Sequence, residues 1–143
     1  MEISGNNRVV IAFGSNLGDR EANIQQAIVA LSQTCGKVAQ VSPYYRSAPQ
    51  GFISDNEFVN GCLLLLTDLN PYTLLKALQA IEITLGRVKN SAHYEDRCID
   101  LDIILYESLC IQSPELQIPH PHYLDREFVL IPLQSLDLDF NPL

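Results

Sequence analysis

Apolar and polar residues alternate along the chain at two spacings, and these spacings predict the order of strands and helices. Almost wholly apolar runs predict buried strands at residues 8–14, 58–67 and 98–106. Residues 37–47 predict a further strand, in which Pro43 indicates an edge or a bulge. The intervening stretches at 48–57 and 87–97 lack apolar periodicity and predict loops.

Two segments carry apolar residues at intervals of three and four and predict amphipathic helices. The first runs from Arg20 to about Thr34, with Asp19 as its cap, and Gly36 ends it. The second starts at Asn70-Pro71, a cap followed by a proline at the first helical position. A short helix is also predicted near residues 126–136, and residues 109–112 are predicted to pair with the last long strand as a hairpin.

The resulting order, β-α-β-β-α-β, predicts an α+β fold of the ferredoxin-like split β-α-β kind, with helices on one face of an antiparallel sheet. The strand that begins near Cys98 is so apolar that we expect it in the middle of the sheet. No repeat or interdomain linker interrupts the pattern. We therefore expect one domain over residues 1–143, with residues 1–7 as a flexible lead.

Composition narrows the classes of partner. Of the 143 residues, 17 are acidic and 9 are Lys or Arg, a net charge of −8, which argues against nucleic acid and anionic membranes as partners. The longest strongly apolar run, residues 62–66, is too short to span a bilayer, and no signal peptide is recognisable. Four widely separated cysteines predict buried, reduced thiols rather than a zinc site or disulfides, and hence a cytoplasmic protein.

The segment Cys98-Ile99-Asp100-Leu101-Asp102-Ile103-Ile104 carries the candidate chemistry. Side chains alternate along a strand, so Asp100 and Asp102 share one face, about 6–7 Å apart. Two carboxylates at that spacing repel each other unless a cation lies between them. A solvated acidic face is the alternative, but carboxylates at the start of such an apolar strand favour a site for Mg²⁺, which binds one or two carboxylates together with phosphate oxygens.

Positive charge gathers just before this pair. Arg87, Lys89, His93 and Arg97 all fall in the predicted loop that leads into it. A solvated loop would explain them, but cations beside an acidic pair also fit a metal–triphosphate ligand. The chain has no glycine-rich phosphate-binding motif and no recognisable catalytic triad; Gly14-Ser15-Asn16-Leu17-Gly18 is interpreted as the turn between strand and helix.

Seven segments occur in the order in which one enzyme family carries them. They are IAFGSNLGD (11–19), SPYYRSAP (42–49), FVNGC (58–62), IEITLGRV (81–88), RCIDLDIILY (97–106), IPHP (118–121) and FVLIPL (128–133). From about residue 8 to residue 140 the chain resembles the 6-hydroxymethyl-7,8-dihydropterin pyrophosphokinases of folate biosynthesis. These enzymes transfer the pyrophosphoryl group of ATP to the hydroxymethyl oxygen of the pterin and release AMP.

The resemblance implies a three-layer α-β-α elaboration of the ferredoxin-like fold and assigns residues to roles. Asp100 and Asp102 would bind two Mg²⁺ ions, and Arg87 and Arg97 would be catalytic with them. ATP would be contacted by these two arginines and by Gln79, Glu82, Lys89, Tyr94, Ile103, His120 and Arg126. The pterin would be contacted by Ser47, Ala48, Gln50, Phe58, Asn60, Asp100 and Phe128, with Phe58 and Phe128 stacking on its two faces and Asn60 reading its polar edge.

Two features of the chain qualify the resemblance. Glu95-Asp96 puts two negative charges where many members have Gly-Pro, and Tyr94 replaces a tryptophan of some members. Two other functions remain open from the residues: a non-catalytic sensor of a small ligand on the same sheet, and a Mg²⁺-dependent enzyme that acts on another alcohol. The aspartate pair argues against the sensor, and the set Phe58, Asn60 and Phe128 favours a pterin. We expect a monomer.

Overall fold

The central sheet consists of the predicted strands, as seen in a computed structural model that describes residues 7–47, 57–86 and 98–138. Its strands are β1 (Asn7–Ser15), β2 (Gly36–Val41), β3 (Tyr45–Ser47), β4 (Phe58–Thr67) and β5 (Asp100–Tyr106). The sheet order is β2-β4-β1-β5, β3 also pairs with β4, and every pairing is antiparallel. The fold is therefore α+β. Residues 1–6 of the predicted lead, 48–56 of the first predicted loop and all of 87–97 lie outside the described residues.

The helices begin and end close to the predicted positions. They are α1 (Arg20–Thr34), α2 (Pro71–Thr84) and α3 (Glu127–Gln134). The Asp19 carboxylate accepts a hydrogen bond from the N–H of Ala22 at 3.2 Å, and the Asn70 side chain accepts one from the N–H of Thr73 at 2.9 Å. Each bond satisfies a backbone donor that a first helical turn leaves without a partner.

Helices cover both faces of the sheet. The apolar stripes of α1 and α2 pack on one face, against side chains such as Phe13, Leu63 and Ile103. Helix α3 packs on the opposite face, against Val10, Cys62 and other residues of the same strands. The order of elements predicted helices on one face only; α3 belongs to the opposite face because Val129 and Leu133 bury themselves there. We call these the α1/α2 face and the α3 face.

The predicted second strand is interrupted where Pro43 stands. It divides into β2 and β3, and between them the Ser42 N–H donates to the Cys62 carbonyl at 2.8 Å while the Ser42 hydroxyl accepts from the Cys62 N–H at 3.0 Å. These two bonds keep the interrupted strand attached to β4. The bulge or edge predicted from Pro43 is therefore confirmed, because β2 also forms one edge of the described sheet.

Two predictions about the last long strand are wrong. β5 lies at an edge of the described sheet rather than in its middle. Its apolar character has another cause: α2 packs on one of its faces, Ile104 and Leu105 are buried in the apolar cluster of the α3 face, and the N–H of His120 donates to the Ile104 carbonyl at its outer edge, at 3.0 Å. Residues 111–112 do not pair with β5 either; they form β6 (Ile111–Gln112), which pairs with β7 (Gln117–Ile118).

The cysteines differ in burial more than the sequence predicts. Cys35 and Cys62 are buried, as expected, but Cys98 is half-buried and Cys110 is exposed, because its segment leaves the sheet after β5. Burial raises the pKa of the Cys62 thiol to about 12, which makes it a small apolar side chain at neutral pH. Among the described residues, no helix has both the length and the apolar character needed to cross a membrane.

Candidate active site

The floor of the candidate site is formed by the two smallest side chains of the central strand β1. Gly14 and Ala12 both point to the α3 face, where Gly14 pairs with Asp100 of β5 on one side and with Asn60 of β4 on the other. Ala12 lies in the same way beside Asp102. Because neither residue has a long side chain, the aspartates and Asn60 stand on opposite sides of a low strip of the sheet, which we call the cleft.

The aspartate pair has the geometry that the strand alternation predicts. Asp100 is half-buried and Asp102 is exposed, whereas Leu101 between them is 4% exposed and packs in the core of the α1/α2 face. Leu101 and Ile103 are apolar because their side chains face helix α2. The aspartate side chains alternate with them and face the cleft. Two like charges at roughly 6–7 Å on one face favour a bound cation.

Gly14 is required for the position of the Asn60 side chain. A Cβ atom at residue 14 would lie 2.5 Å from Asn60 Oδ1 and 3.8 Å from the Phe58 ring. The Asn60 amide, 7% exposed, therefore rests directly over the glycine, with Phe58 beside it. At the start of β4, Arg20 of α1 donates to the Glu57 carbonyl at 2.8 Å and holds the chain immediately before Phe58.

The first turn of α3 supplies the other aromatic side chain. Phe128 is half-buried and packs against the apolar cluster of the α3 face, so it lies on the same face as Phe58 and Asn60. The Arg126 guanidinium lies 5.8 Å from the centre of the Phe128 ring, a cation–π distance. The Tyr45 hydroxyl donates to the Glu127 carboxylate at 3.4 Å and connects this turn to β3.

His120 lies next to the outer edge of β5, half-buried and held by the bond from its backbone N–H to the Ile104 carbonyl. Desolvation by burial lowers the pKa of its imidazole, and the nearby positive charges of Arg126 and His122 lower it further. The ring is therefore neutral at pH 7. On linkage grounds the folded protein loses stability as the pH falls below about 6.5, because the unfolded chain then binds the proton more readily.

The predicted nucleotide residues of α2 lie one helical turn apart near the start of β5. Gln79 is exposed, whereas Glu82 is only 4% exposed, and its carboxylate accepts a hydrogen bond from the Leu101 N–H at 2.8 Å. Ile103 is 3% exposed, and its side chain belongs to the core of the α1/α2 face. Any contact of Ile103 with a ligand therefore has to come from its backbone.

The structure thus brings one part of the predicted site together. On the α3 face and around β5 lie Phe58, Asn60, Asp100, Asp102, His120, Arg126 and Phe128. The predicted residues Arg87, Lys89, Tyr94, Arg97, Ala48 and Gln50 lie outside the described residues. Ser47 ends β3, where its backbone pairs with Phe58.

Gly14 was not predicted as a site residue, because the sequence analysis treated it only as the end of the first strand and the start of the following turn. The strand in fact continues through Ser15, and the only positive φ in this segment is at Gly18, at 71°. The available signal was the pattern itself: a glycine at a position that alternation places on the same face as Ala12, in an otherwise bulky strand.

The donor set fits magnesium. Two carboxylates supply hard oxygen ligands, and Mg²⁺ completes its octahedron with water and phosphate oxygens rather than with a cage of protein ligands. Among the described residues no group of three or more His, Cys, Asp or Glu side chains could hold a metal ion. A metal ion bound by Asp100 and Asp102 would therefore take its remaining ligands from water and from the oxygens of a bound polyphosphate.

Small-molecule sites typically combine a concave surface with a few convergent polar groups, and the aspartate pair and the Asn60 amide on one face of this α+β sheet fit that class of protein. The model of the 7,8-dihydro-6-hydroxymethylpterin-pyrophosphokinase (HPPK) family matches residues 10–138. The chain therefore belongs to the HPPK family, and the resemblance read from the seven segments is confirmed.

Curated relatives agree with this membership. A Porphyromonas gingivalis protein named 2-amino-4-hydroxy-6-hydroxymethyldihydropteridine pyrophosphokinase is 40% identical over 131 residues, covering 90% of this chain and 89% of its own length. A Pseudomonas aeruginosa protein of the same name is 43% identical over 137 residues, covering 94% and 83%. The folic acid synthesis protein FOL1 of Dictyostelium discoideum is 41% identical over 137 residues, but this chain spans only 20% of its length.

Solved structures share the fold at low sequence identity. A Plasmodium falciparum HPPK-DHPS structure matches 99% of this chain and 42% of its own with a TM-score of 0.73 and 13% identity. A further HPPK-DHPS structure, in complex with substrates, matches 96% of this chain and 41% of its own, with a TM-score of 0.69 and 14% identity. At such identity the likeness concerns the fold alone.

Proposed function

We propose that this chain transfers the pyrophosphoryl group of ATP to the hydroxymethyl oxygen of 6-hydroxymethyl-7,8-dihydropterin, giving AMP and the pterin pyrophosphate, a step of folate biosynthesis. Family membership supports this activity, as do the names of relatives that the chain covers nearly end to end. The observation that carries it is the row Asp100–Gly14–Asn60 across three neighbouring strands. In this row the Asp100 carboxylate and the Asn60 amide flank Gly14, and Asp102 follows two residues further along β5, which supports a metal-binding pair and a pterin-binding amide on opposite sides of one cleft.

The pterin would lie over Gly14. A flat bicycle gains stacking energy from an aromatic ring on each face, a role that suits Phe58 and Phe128. The Asn60 amide offers both a donor and an acceptor to the polar edge of the pterin, and it already rests over the floor of the cleft. We also assign the backbone of residues 47–50 to this edge, as the resemblance implies.

ATP would lie along β5. The Leu101 N–H points away from β1. Because the direction of the N–H groups alternates along a strand, the N–H of Ile103, two residues further on, points to the same outer edge of β5. His120 and Arg126 border this region and would contact the phosphates, with Gln79 and Glu82 near the nucleotide. Arg87, Lys89, Tyr94 and Arg97 complete the proposed set.

The chain itself would contribute orientation and charge. Asp100 and Asp102 would hold two Mg²⁺ ions, which supply charge neutralisation for the triphosphate and a Lewis acid for the acceptor oxygen. The cleft would align the pterin hydroxyl with the β-phosphorus, so that this oxygen forms the new bond as the bond to the AMP oxygen breaks and the hydroxyl proton passes to the solvent. Arginine guanidiniums would stabilise charge on the transferred group.

The proposal also covers the fold type, the domain organisation, the oligomeric state and the cellular location of the chain. We infer a ferredoxin-like three-layer α-β-α sandwich, supported by the order β2-β4-β1-β5 and by helices on both faces. We further propose that residues 1–143 form one domain that acts as a cytoplasmic monomer on small molecules. FOL1 and HPPK-DHPS relatives are longer than this chain, so fusion to other domains is compatible with the fold.

The decisive experiment identifies the nucleotide product. The chain is incubated with ATP, Mg²⁺ and 6-hydroxymethyl-7,8-dihydropterin, and AMP is expected in equal amounts with the pterin pyrophosphate. ADP would mean transfer of a single phosphate and would overturn the mechanism. AMP with another alcohol but not with the pterin would favour the broader Mg²⁺-dependent enzyme. Pterin binding without any turnover would favour the sensor.

A further inference from the structure

The buried carboxylate of Glu82 accepts a hydrogen bond from the backbone at the start of β5, on the side of the strand that faces away from β1. The Leu101 N–H points away from β1, and the described part of the chain contains no strand that pairs with this outer side of β5. Glu82 Oε2 accepts its hydrogen bond at 2.8 Å. The bond gives this N–H an acceptor within the protein, and a buried backbone donor without an acceptor costs folding free energy. The first residues of β5 are therefore held by β1 on their inner side and by a side chain of α2 on their outer side.

The bonded peptide lies at the centre of the candidate metal site. Leu101 separates Asp100 from Asp102, and its side chain is locked in the core of the α1/α2 face. Glu82 approaches from this same side, because α2 packs there, whereas both aspartates face the cleft on the α3 face. The Glu82 carboxylate and the aspartates thus act on opposite sides of the same short stretch of backbone.

We propose that Glu82 is a positioning residue, which aims the Asp100 and Asp102 carboxylates by fixing the peptide between them. This inference rests on the proposed function and deepens it. It gives Glu82 a role in positioning the aspartates, in place of the contact with ATP alone that the family resemblance implies. Carboxylates have to be held within about half an ångström to bind metal productively. Outer partners of metal ligands typically change metal affinity or activity by about 10- to 100-fold when removed.

Three variants of the full chain separate this role from others. Glu82→Ala removes the acceptor, Glu82→Gln keeps an acceptor oxygen without the charge, and Glu82→Asp keeps the charge but shortens the reach. Lys76→Ala, an exposed position on the same helix, is the matched control. Should Glu82→Ala fail to fold, the comparison of Glu82→Gln with Glu82→Asp decides the proposal.

The first measurement is amide hydrogen exchange at Leu101, in the absence of metal and nucleotide. We expect exchange to accelerate about tenfold or more in Glu82→Ala and Glu82→Asp, and to stay near the wild-type rate in Glu82→Gln and Lys76→Ala. Unchanged exchange in both Glu82→Ala and Glu82→Asp would overturn the proposal. This readout needs no catalysis, so it stands even if the wild-type chain releases no AMP, a result that would overturn the proposed function alone.

The second measurement is the Mg²⁺ concentration at half-maximal rate, with both substrates saturating. It is expected to rise about tenfold in Glu82→Ala and in Glu82→Asp and to be largely restored in Glu82→Gln. A rise confined to the KM for ATP, with unchanged Mg²⁺ dependence, would mean that Glu82 contacts the nucleotide and does not position the aspartates. A Glu82→Gln variant as impaired as Glu82→Ala would assign the effect to charge and overturn the proposal.

Discussion

Gly14 and Gly61 stand on neighbouring strands and serve opposite faces of the sheet. At Gly61 a Cβ would lie 2.4 Å from the Phe13 ring, which packs edge-on against Tyr44 within the apolar core. At Gly14 it would lie 2.5 Å from the Asn60 amide, within the candidate site. Each glycine makes room for a neighbouring side chain. The first lets an aromatic ring fill the core, and the second lets an amide lie at the floor of a cleft.

The comparison extends to the whole of each face. On the α1/α2 face the side chains from β1, β4 and β5 are apolar and two helices cover them, so their burial stabilises the fold. On the α3 face the same strands present Gly14, Asn60, Asp100 and Asp102 at one end, where one aspartate remains exposed. Substitutions on the first face should change stability, and those on the second should change binding and turnover.

The largest effect is expected from Asp102→Asn. The substitution keeps the shape of the side chain but removes half of the negative charge that would hold the metal. Turnover should fall about a thousandfold, equivalent to the roughly 4 kcal/mol that metal charge stabilisation supplies. The rate of AMP formation at saturating Mg²⁺ measures it.

Asp102→Asn also tests whether the α3 face contributes to turnover rather than to stability. Its melting temperature should change by only a few degrees, because the Asp102 side chain is exposed and asparagine keeps its shape. Asp137→Asn, an exposed aspartate far along the chain, is the control and should keep full turnover. Wild-type turnover in Asp102→Asn would contradict the metal assignment, and a large loss of stability would contradict the separation of the faces.

Gly61→Ala is expected to act on stability alone. The added methyl group meets the Phe13 ring and lies 3.0 Å from Ser42 Oγ, so the ring has to leave its place. Overpacking of this kind costs about 1–3 kcal/mol of unfolding free energy. Urea unfolding measures the loss, while the KM for the pterin should remain at the wild-type value. A raised KM with unchanged stability would reverse the roles of the two glycines.

Gly14→Ala should have the smallest effect in free energy and act on binding. The methyl group displaces the Asn60 amide, so the KM for the pterin should rise about tenfold, or roughly 1.4 kcal/mol, with the KM for ATP unchanged. Unfolding free energy should change by less than about 1 kcal/mol, because alanine restricts the unfolded chain and offsets part of the clash. Equal increases in both KM values would show that the methyl group disturbs the whole cleft rather than Asn60.

Local patterns were sufficient to predict most of the helices and strands and the shared face of Asp100 and Asp102. β4 and the start of α2 follow from an apolar run and from the Asn70-Pro71 cap, and both signals lie within a few residues of sequence. Asp100 and Asp102 share a face because alternation is a local property of extended backbone. The side-chain roles implied by the family resemblance, by contrast, needed several segments together.

What failed depended on contacts between distant segments. β5 was expected inside the sheet because it is apolar, but an edge covered by the segment before His120 buries a strand equally well. The roles of Gly14 and Glu82 were also out of reach, since each depends on an atom of another strand or helix.

By itself, the sequence determined which residues form helices and strands, which side chains share a strand face, and that two carboxylates stand together. These properties follow from backbone geometry over a few residues. Only the tertiary structure decided that Asn60 lies opposite Asp100 across Gly14 and that Glu82 holds the peptide between the aspartates. Register and helix packing are the sum of many long-range contacts, and no single segment of the chain contains them.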